Sequence, residues 1–186
     1  MTFHLARKLF HASGIVFVVA YWSLGLEPTL VLGVLWGAVA ALLLLDLLRS
    51  RVPALQASFQ TTFSALLDPK DAAGLNGSTL YFGGCALAVT LVAKAPACGG
   101  ILALALGDPL AAIVGSSVRS PRWKKTSLAG STACFVAALL ACRLFVPWPA
   151  ALAGAATATV LEAVSGAKLD NFTIPVGVAL VLAWLS

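Results

Sequence analysis

Seven apolar runs, separated by short polar segments, set the pattern of this chain. They cover residues 9–26, 29–48, 76–93, 97–118, 128–146, 149–165 and 172–186. Because a membrane-spanning helix needs about 17–25 apolar residues, the pattern predicts about seven transmembrane helices. The last run is short for a full crossing, and six helices with a re-entrant final segment is the alternative. We predict an all-α fold, a polytopic membrane bundle that forms a single domain over residues 1–186.

Composition supports a membrane protein and argues against a soluble one. Hydrophobic residues make up 60% of the chain and charged residues 10%, whereas soluble domains carry about 25% charged residues. Arg7 and Lys8 before the first apolar run are also compatible with a signal peptide, but the run lacks a small-residue cleavage site, which favours an uncleaved first helix. The four cysteines show no CxxC spacing and are predicted to be small buried hydrophobes.

The basic residues are distributed asymmetrically between alternate loops. With the N-terminus inside, ten of the twelve lie on the inner side: Arg7, Lys8, Arg49, Arg51, Lys70, Arg119, Arg122, Lys124, Lys125 and Lys168. Only Lys94 and Arg143 lie on the outer side. Lysine and arginine collect in cytoplasmic loops, so the sequence predicts a cytoplasmic N-terminus. Most of the acids fall on the same inner side, which is therefore where a site is expected.

Asp108 is an acid inside an apolar run, followed by Pro109 and then by a basic segment. A charge in hydrocarbon costs several kcal/mol and marks a functional site by default. Asp before Pro is typical of a helix start. The sequence therefore predicts that the fourth helix is broken at Gly107-Asp108-Pro109, with a half-helix whose N-terminus favours a phosphate. A structural kink with a locally satisfied Asp108 is the alternative.

Two basic groups lie on the predicted cytoplasmic side. Arg7 and Lys8 share a helix face with His11. The group is either an interfacial anchor with a histidine that is hydrogen-bonded in the bundle, or a phosphate clamp. The segment from Arg119 to Thr126 is a topology signal, a site for anionic lipid headgroups, or a site where Lys124 and Lys125 neutralise a polyphosphate. The chain has no GxxxxGK[ST] motif, so phosphates would need an arrangement specific to membrane proteins.

Further polar groups lie near the same side. Glu162, Asp170 and Asn171 offer oxygen ligands suited to Mg²⁺, or they cap helix ends. Asp46 and Arg49, three residues apart, are spaced for an ion pair. In the long inner loop between residues 49 and 77, the segment 58–67 is a candidate amphipathic interfacial helix.

Several of these elements occur in an order that resembles a known family. They are Arg7-Lys8-x-x-His11, Gly107-Asp108-x-x-Ala111-Ala112-x-x-Gly115, Lys125-Thr126 before Gly130-Ser131, Glu162 ahead of Asp170-Asn171-x-x-x-Pro175, and the middle loop from Leu67-Asp68-Pro69-Lys70-Asp71 to Gly77-Ser78-Thr79-Leu80-Tyr81. Together they resemble the dolichol kinase, phytol kinase and CTP-dependent diacylglycerol kinase family over most of the chain. The chain departs from this family at Ala129, where an acid often precedes the glycine.

The resemblance implies transfer of the γ-phosphate of CTP, with Mg²⁺ or another divalent cation, to the hydroxyl of a lipid alcohol at the cytosolic leaflet. The implied catalytic residues are Asp108, Arg7, Lys8 and His11; the nucleotide-binding residues are Gly107, Gly115, Lys124, Lys125, Thr126, Gly130 and Asn171; the metal ligands are Asp108, Asp170 and Glu162. His11 or one of the acids would take the hydroxyl proton. The implied partners are CTP, membrane lipids and a polyprenol, phytol or other isoprenoid alcohol, or diacylglycerol; no nucleic acid is expected.

Two other functions compete with the kinase. The Gly-Asp and Lys-Thr-x-x-x-Gly elements also resemble phosphatidate cytidylyltransferase, whereas the Arg-Lys-x-x-His start favours the kinase. A small ion-coupled transporter would use Asp108 for coupling, and it predicts functional charge toward both faces or an inverted repeat. The sequence shows neither feature.

Overall fold

The computed structural model describes residues 2–64, 74–166 and 168–186, with side chains from residue 10 onward. These residues form eight helices and one short hairpin. Their bounds are α1 Thr2–Ser23, α2 Pro28–Arg51, α3 Pro53–Thr62, α4 Gly77–Leu91, α5 Lys94–Ser117, β1 Arg122–Trp123, β2 Thr126–Ser127, α6 Leu128–Arg143, α7 Trp148–Val164 and α8 Asp170–Leu185. The all-α prediction is confirmed, and each of the seven apolar runs contributes one long helix.

Local sequence signals explain where several helices begin. Proline stands in the first turn of α2 (Pro28) and of α3 (Pro53), where its missing N–H leaves no helical hydrogen bond unmade. Asn76 caps α4 by accepting a hydrogen bond from the Ser78 amide, and Ser127 caps α6 by accepting one from the Gly130 amide; both distances are 3.1 Å. These two caps fix the starts of α4 and α6.

Helix α5 lies at the centre of the bundle and packs against α1, α6 and α8. Small residues allow this close packing, because Gly100 lies against the backbone of α8: a Cβ built on it would meet the Pro175 carbonyl and lie 2.9 Å from the Ala179 nitrogen. Gly84 of α4 lies equally close to α8, with 2.8 Å between a built Cβ and the Pro175 ring. Helices that approach this closely gain van der Waals contacts along their length.

Two of the described helices, α2 and α5, are long and apolar enough to cross a membrane. Within their most apolar windows, 22% of α2 is buried in the protein, against 67% of α5. The described apolar parts of the other long helices are shorter, at 10–17 residues. Helix α5 is therefore a core helix of the bundle, whereas α2 presents apolar side chains such as Val34 and Leu44 outward.

The predicted break at Gly107-Asp108-Pro109 is wrong, because α5 runs without interruption from Lys94 to Ser117 with Pro109 inside it. A proline in a helix interior costs about 3 kcal/mol. Most of α5 is buried against its neighbours, and a single buried Leu or Ile side chain contributes about 1.5–3 kcal/mol. Packing therefore outweighs the proline, and Asp108 is not a helix cap.

The interfacial helix predicted at 58–67 is displaced toward the N-terminus. Helix α3 spans Pro53–Thr62 and buries none of its residues. Its start follows from Pro53, since proline is favoured in the first turn of a helix. The remaining residues 65–67 of the predicted segment, and Asp68 to Asp71 of the middle loop, lie outside the described residues.

The glycine contacts predict that a Gly→Ala substitution affects stability differently at two helix positions. Gly100→Ala should lower the free energy of unfolding by about 1–3 kcal/mol, because the new methyl group meets the backbone of α8. Gly37→Ala, on the open side of α2 where nothing lies within 4 Å, is the matched control and should be neutral or slightly stabilising. Thermal unfolding of the purified protein measures both, and equal stability of the two variants would contradict this packing.

Candidate active site

His11 of α1 and Asp108 of α5 form a buried pair, with 2.8 Å between His11 Nδ1 and Asp108 Oδ2. The His11 residue is 2% exposed and the Asp108 side chain 18% exposed. The imidazole stacks on the Tyr81 ring of α4, with 5.6 Å between centroids, and the Tyr81 hydroxyl donates to the His11 carbonyl at 3.3 Å. Three helices therefore fix the position and orientation of this histidine.

This geometry suits proton transfer. When Nδ1 carries the hydrogen it donates to Asp108, and the lone pair of Nε2 is left to accept a proton. A carboxylate in this position stabilises the imidazolium that forms and holds the ring in one orientation. The pair can therefore act as a general base toward a hydroxyl group, with His11 as the proton acceptor and Asp108 as its orienting partner.

A second charged pair joins the hairpin to the start of α8. Lys125 Nζ lies 2.8 Å from Asp170 Oδ2, and Asp170 Oδ1 accepts the Asn171 amide hydrogen at 3.0 Å. The Asn171 side chain is buried and its Nδ2 donates to the Gly77 carbonyl at 3.2 Å, which connects α8 to α4. Its Oδ1 atom accepts no hydrogen bond from the described residues. A buried amide oxygen without a partner is uncommon in folded proteins.

The two lysines of the hairpin tip occupy different environments. Strands β1 and β2 pair Arg122 with Ser127 and Trp123 with Thr126, so Lys124 and Lys125 form the two-residue turn. Lys124 has a φ of 51° and its Nζ lies 4.7 Å from the centre of the Trp123 ring, whereas Lys125 reaches Asp170. The buried Thr126 donates its hydroxyl hydrogen to the Trp123 carbonyl at 3.1 Å. Only Lys125 of this pair is thus tied to the bundle.

The three glycines predicted to bind nucleotide lie in the contact between α5 and α6. A Cβ built on Gly107 would lie 3.2 Å from Cys134 Sγ, and one on Gly130 would lie 2.7 Å from the Ala111 carbonyl. Gly115 faces Gly130, with 3.3 Å from a Cβ built on Gly130 to the Gly115 Cα. These glycines therefore allow the close helix approach that brings the hairpin to the end of α5.

The chain connections bring the two charged pairs to the same end of the bundle. The hairpin joins the end of α5 to the start of α6, and Glu162 lies in the last turn of α7, shortly before α8 begins. Glu162 is 9% exposed. Since Asp108 pairs with His11 and Lys125 with Asp170, residues from α1, α5, the hairpin, α7 and α8 gather at one end of the bundle. Arg7 and Lys8 belong to α1, but their side chains lie outside the described residues.

The three predicted metal ligands, Asp108, Asp170 and Glu162, do not form one coordination site in this arrangement. Asp108 pairs with His11, and Asp170 with Lys125. Across residues whose side chains are described, no group of three or more His, Cys, Asp and Glu is placed to hold a metal ion. A cation at Asp170 would also be repelled by Lys125. The three carboxylates are therefore not brought into one ligand set, and the assignment of Mg²⁺ stays a prediction.

Two residues that support the site occur in the middle-loop motif, but the sequence assigned them no role. Tyr81 stacks on His11, and Thr79 donates its hydroxyl hydrogen to Asp46 at 2.6 Å. The ion pair predicted between Asp46 and Arg49 is confirmed, at 2.8 Å. A signal for Tyr81 and Thr79 exists in the polar atoms that α4 carries in its first two turns, but no local spacing identifies partners on other helices.

At the opposite end of the bundle, the described basic side chains contact aromatic rings instead of carboxylates. The two cations there lie against aromatic rings: Lys94 Nζ is 4.7 Å from the centre of Tyr21, and the Arg143 guanidinium is 5.2 Å from the centre of Trp148. Such cation–aromatic contacts are typical of anchoring side chains. The pairs His11–Asp108, Asp46–Arg49 and Lys125–Asp170 all lie toward the other end, and each has at least one buried partner.

Comparison with known proteins found no match: no family model, no curated protein and no solved structure matches this chain. The family resemblance based on the motifs therefore remains a prediction.

The hairpin lysines supply a test of the site geometry. Lys125→Met should lower the free energy of unfolding by about 1–3 kcal/mol, because the buried Asp170 carboxylate loses a charged hydrogen bond. The matched variant Lys124→Met removes an exposed lysine that stacks on Trp123 and should change stability by less than about 0.5 kcal/mol. Thermal unfolding at neutral pH compares the two; equal effects would show that Lys125 and Asp170 do not pair.

Proposed function

We propose that this chain is a multi-pass membrane kinase that transfers the γ-phosphate of CTP to the hydroxyl of a lipid alcohol at the cytosolic leaflet. The observation that carries the proposal is the buried His11–Asp108 pair, a general base oriented by a carboxylate, at the same end of an apolar bundle as the basic hairpin. CTP as the donor, and an isoprenoid alcohol or diacylglycerol as the acceptor, rest on the motif resemblance.

We further propose that the seven long helices span the membrane with the N-terminus in the cytoplasm. The outward-facing apolar side chains of α2 support membrane contact, and the distribution of basic residues supports the orientation. In this arrangement the hairpin meets cytosolic nucleotide. The lipid tail stays in the bilayer while its hydroxyl approaches His11.

The proposed orientation predicts which engineered cysteines react from outside a cell. All four native cysteines are buried, so they should give little background with a membrane-impermeant maleimide. Ser23→Cys, at the end of α1, should react in intact cells, whereas Ser117→Cys, at the end of α5, should react only after permeabilisation. Both serines are exposed. Labelling of Ser117→Cys alone in intact cells would reverse the orientation.

The proposed reaction is an in-line phosphoryl transfer. The lipid hydroxyl oxygen attacks the γ-phosphorus, the bond from the γ-phosphorus to the β–γ bridging oxygen breaks, and CDP leaves. His11 Nε2 accepts the hydroxyl proton, and Asp108 stabilises the imidazolium. The products are a lipid phosphate and CDP, so atoms and charges balance without a further reactant.

Positive charge near the phosphates supplies the second requirement of this chemistry. Phosphoryl transfer depends mainly on positioning and on electrostatic stabilisation of the transferred group. Lys125 lies at the hairpin tip within reach of the site, and Arg122 and Lys124 lie on the same hairpin. The buried Asn171 oxygen offers an acceptor for a donor group of the nucleotide. Mg²⁺ is assigned to the substrate as its complex with CTP, because magnesium in such sites is bound mainly by the substrate phosphates and by water.

Substitution of the buried pair tests the proposal. His11→Ala should lower kcat by about 10²–10⁴-fold, the range for loss of a general base. Asp108→Asn should also lower kcat, because it retains the shape of the side chain but no longer stabilises the imidazolium. Purified protein is incubated with γ-labelled CTP and a panel of lipid alcohols, and label is followed into lipid phosphate. Glu27→Gln, at the other end of the bundle, is the control and should retain activity.

The same assay separates the kinase from its competitors. Release of pyrophosphate with formation of a CDP-lipid would identify a cytidylyltransferase instead. If neither product forms, the kinase proposal fails and the transporter alternative is favoured. Near-normal kinase activity of both His11→Ala and Asp108→Asn would remove the role assigned to this pair.

A further inference from the structure

Asp46 and Arg49 form a buried polar network outside the pairs used above. The two residues are 7% and 4% exposed, and Arg49 Nε donates to Asp46 Oδ1 at 2.8 Å. Asp46 Oδ2 accepts two further hydrogen bonds, from the Asn76 amide at 2.9 Å and from the Thr79 hydroxyl at 2.6 Å. The carboxylate of α2 thereby holds the first turn of α4.

Two further N–H groups of Arg49 also donate to the protein. Its Nη1 donates to Gln56 Oε1 of α3 at 3.1 Å, and its Nη2 donates to the Gly74 carbonyl at 2.5 Å. The guanidinium lies 5.0 Å from the centre of the Phe59 ring. Because both oxygens of Asp46 and three groups of Arg49 already have protein partners, the pair has little capacity left to bind a substrate. The pair therefore acts mainly on the segments that it holds together, which are α2, α3 and the first turn of α4.

The network leads to the candidate active site through α4. Asn76 and Thr79, both bonded to Asp46, flank Gly77, whose carbonyl accepts the Asn171 side-chain amide. Asn171 in turn donates its backbone N–H to Asp170, the partner of Lys125. A continuous chain of hydrogen bonds and short backbone links thus runs from the Asp46 carboxylate to the tip of the hairpin. It does not include His11 or Asp108.

We propose that Asp46 and Arg49 are positioning residues for the nucleotide side of the site, acting through the first turn of α4 on Asn171, Asp170 and Lys125. This inference rests on the proposed function for its kinetic consequences, but the mechanical link itself does not. A buried ion pair costs desolvation energy, and that cost is offset here by the three hydrogen bonds that Asp46 accepts and the three that Arg49 donates. The pair specifies one arrangement of α2, α3 and α4, and so one position of the Gly77 carbonyl.

The test uses two isosteric substitutions on the same helix. Thr79→Val removes the hydroxyl that bonds Asp46, and Thr90→Val removes a hydroxyl that bonds Trp36 of the same neighbouring helix, α2, at the far end of α4. Both variants keep size and lose one contact between α2 and α4. Thr79→Val is expected to raise KM for CTP about three- to tenfold, the range for loss of one hydrogen bond. KM for the lipid should stay unchanged, and Thr90→Val should leave both constants unchanged.

Hydrogen–deuterium exchange gives a readout that does not need enzyme activity. If the hydrogen-bond chain couples the start of α4 to the hairpin, Thr79→Val speeds exchange both in residues 76–80 and in the hairpin, residues 122–128. Thr90→Val should leave exchange in the hairpin unchanged. Faster exchange confined to residues 76–80 would overturn the proposal. The proposal would also be overturned if Thr79→Val speeds exchange in the hairpin but leaves KM for CTP unchanged.

The two proposals fail in distinguishable ways. If wild-type protein transfers no phosphate from CTP, the proposed function fails, and exchange in the hairpin alone decides whether Asp46 positions it. If the wild-type enzyme is active but Thr79→Val does not change exchange in the hairpin, the proposed kinase function is retained and the positioning role of Asp46 is rejected. Asp46→Asn serves as a second variant, and its effects on exchange and on KM for CTP should match those of Thr79→Val in both segments.

Discussion

Charge buried in an apolar bundle is the constraint on which the described structure depends. A buried charge that loses its hydrogen-bonded partner costs about 1–3 kcal/mol or more, so each buried charge must find a partner when the helices assemble. His11 meets Asp108 across α1 and α5, Asp46 holds Arg49 and the start of α4, and Lys125 meets Asp170 across the hairpin and α8. Each pair thus fixes both a local geometry and a relation between segments.

Small residues allow the segments that carry these ion pairs to pack closely. His11 and Asp108 lie 2.8 Å apart across α1 and α5, and Lys125 and Asp170 lie 2.8 Å apart across the hairpin and α8. Such pairing requires the segments around the core to approach closely. Glycines at the contacts with α6 and α8 remove the side chains that would keep the helices apart, as Gly100 and Gly130 show. Of these two, Gly130 is also a motif position expected to bind nucleotide. Their packing contacts supply a physical reason for glycine there, whichever ligand the site takes.

The fold was largely predictable from sequence, and the candidate site only partly. Long apolar runs define helices because no other structure satisfies their backbone groups in a nonpolar environment. The break at Pro109 was wrong because a local helix-start signal takes no account of burial on three neighbouring helices. The residues of the site were mostly anticipated, but their pairing was not: His11 was grouped with its helix neighbours Arg7 and Lys8, whereas its described partner is 97 residues away.

Sequence by itself determined the helical class, the positions of the seven long helices and the crowding of charge toward one predicted side, because these depend on hydropathy and on charge counts along the chain. Tertiary structure alone decided that α5 continues through Pro109, that Lys125 rather than Lys124 joins the bundle, and that Asp46 is connected to Asn171 through α4. Those outcomes depend on distances between segments far apart in sequence. Such distances are set by packing, and no local pattern encodes them.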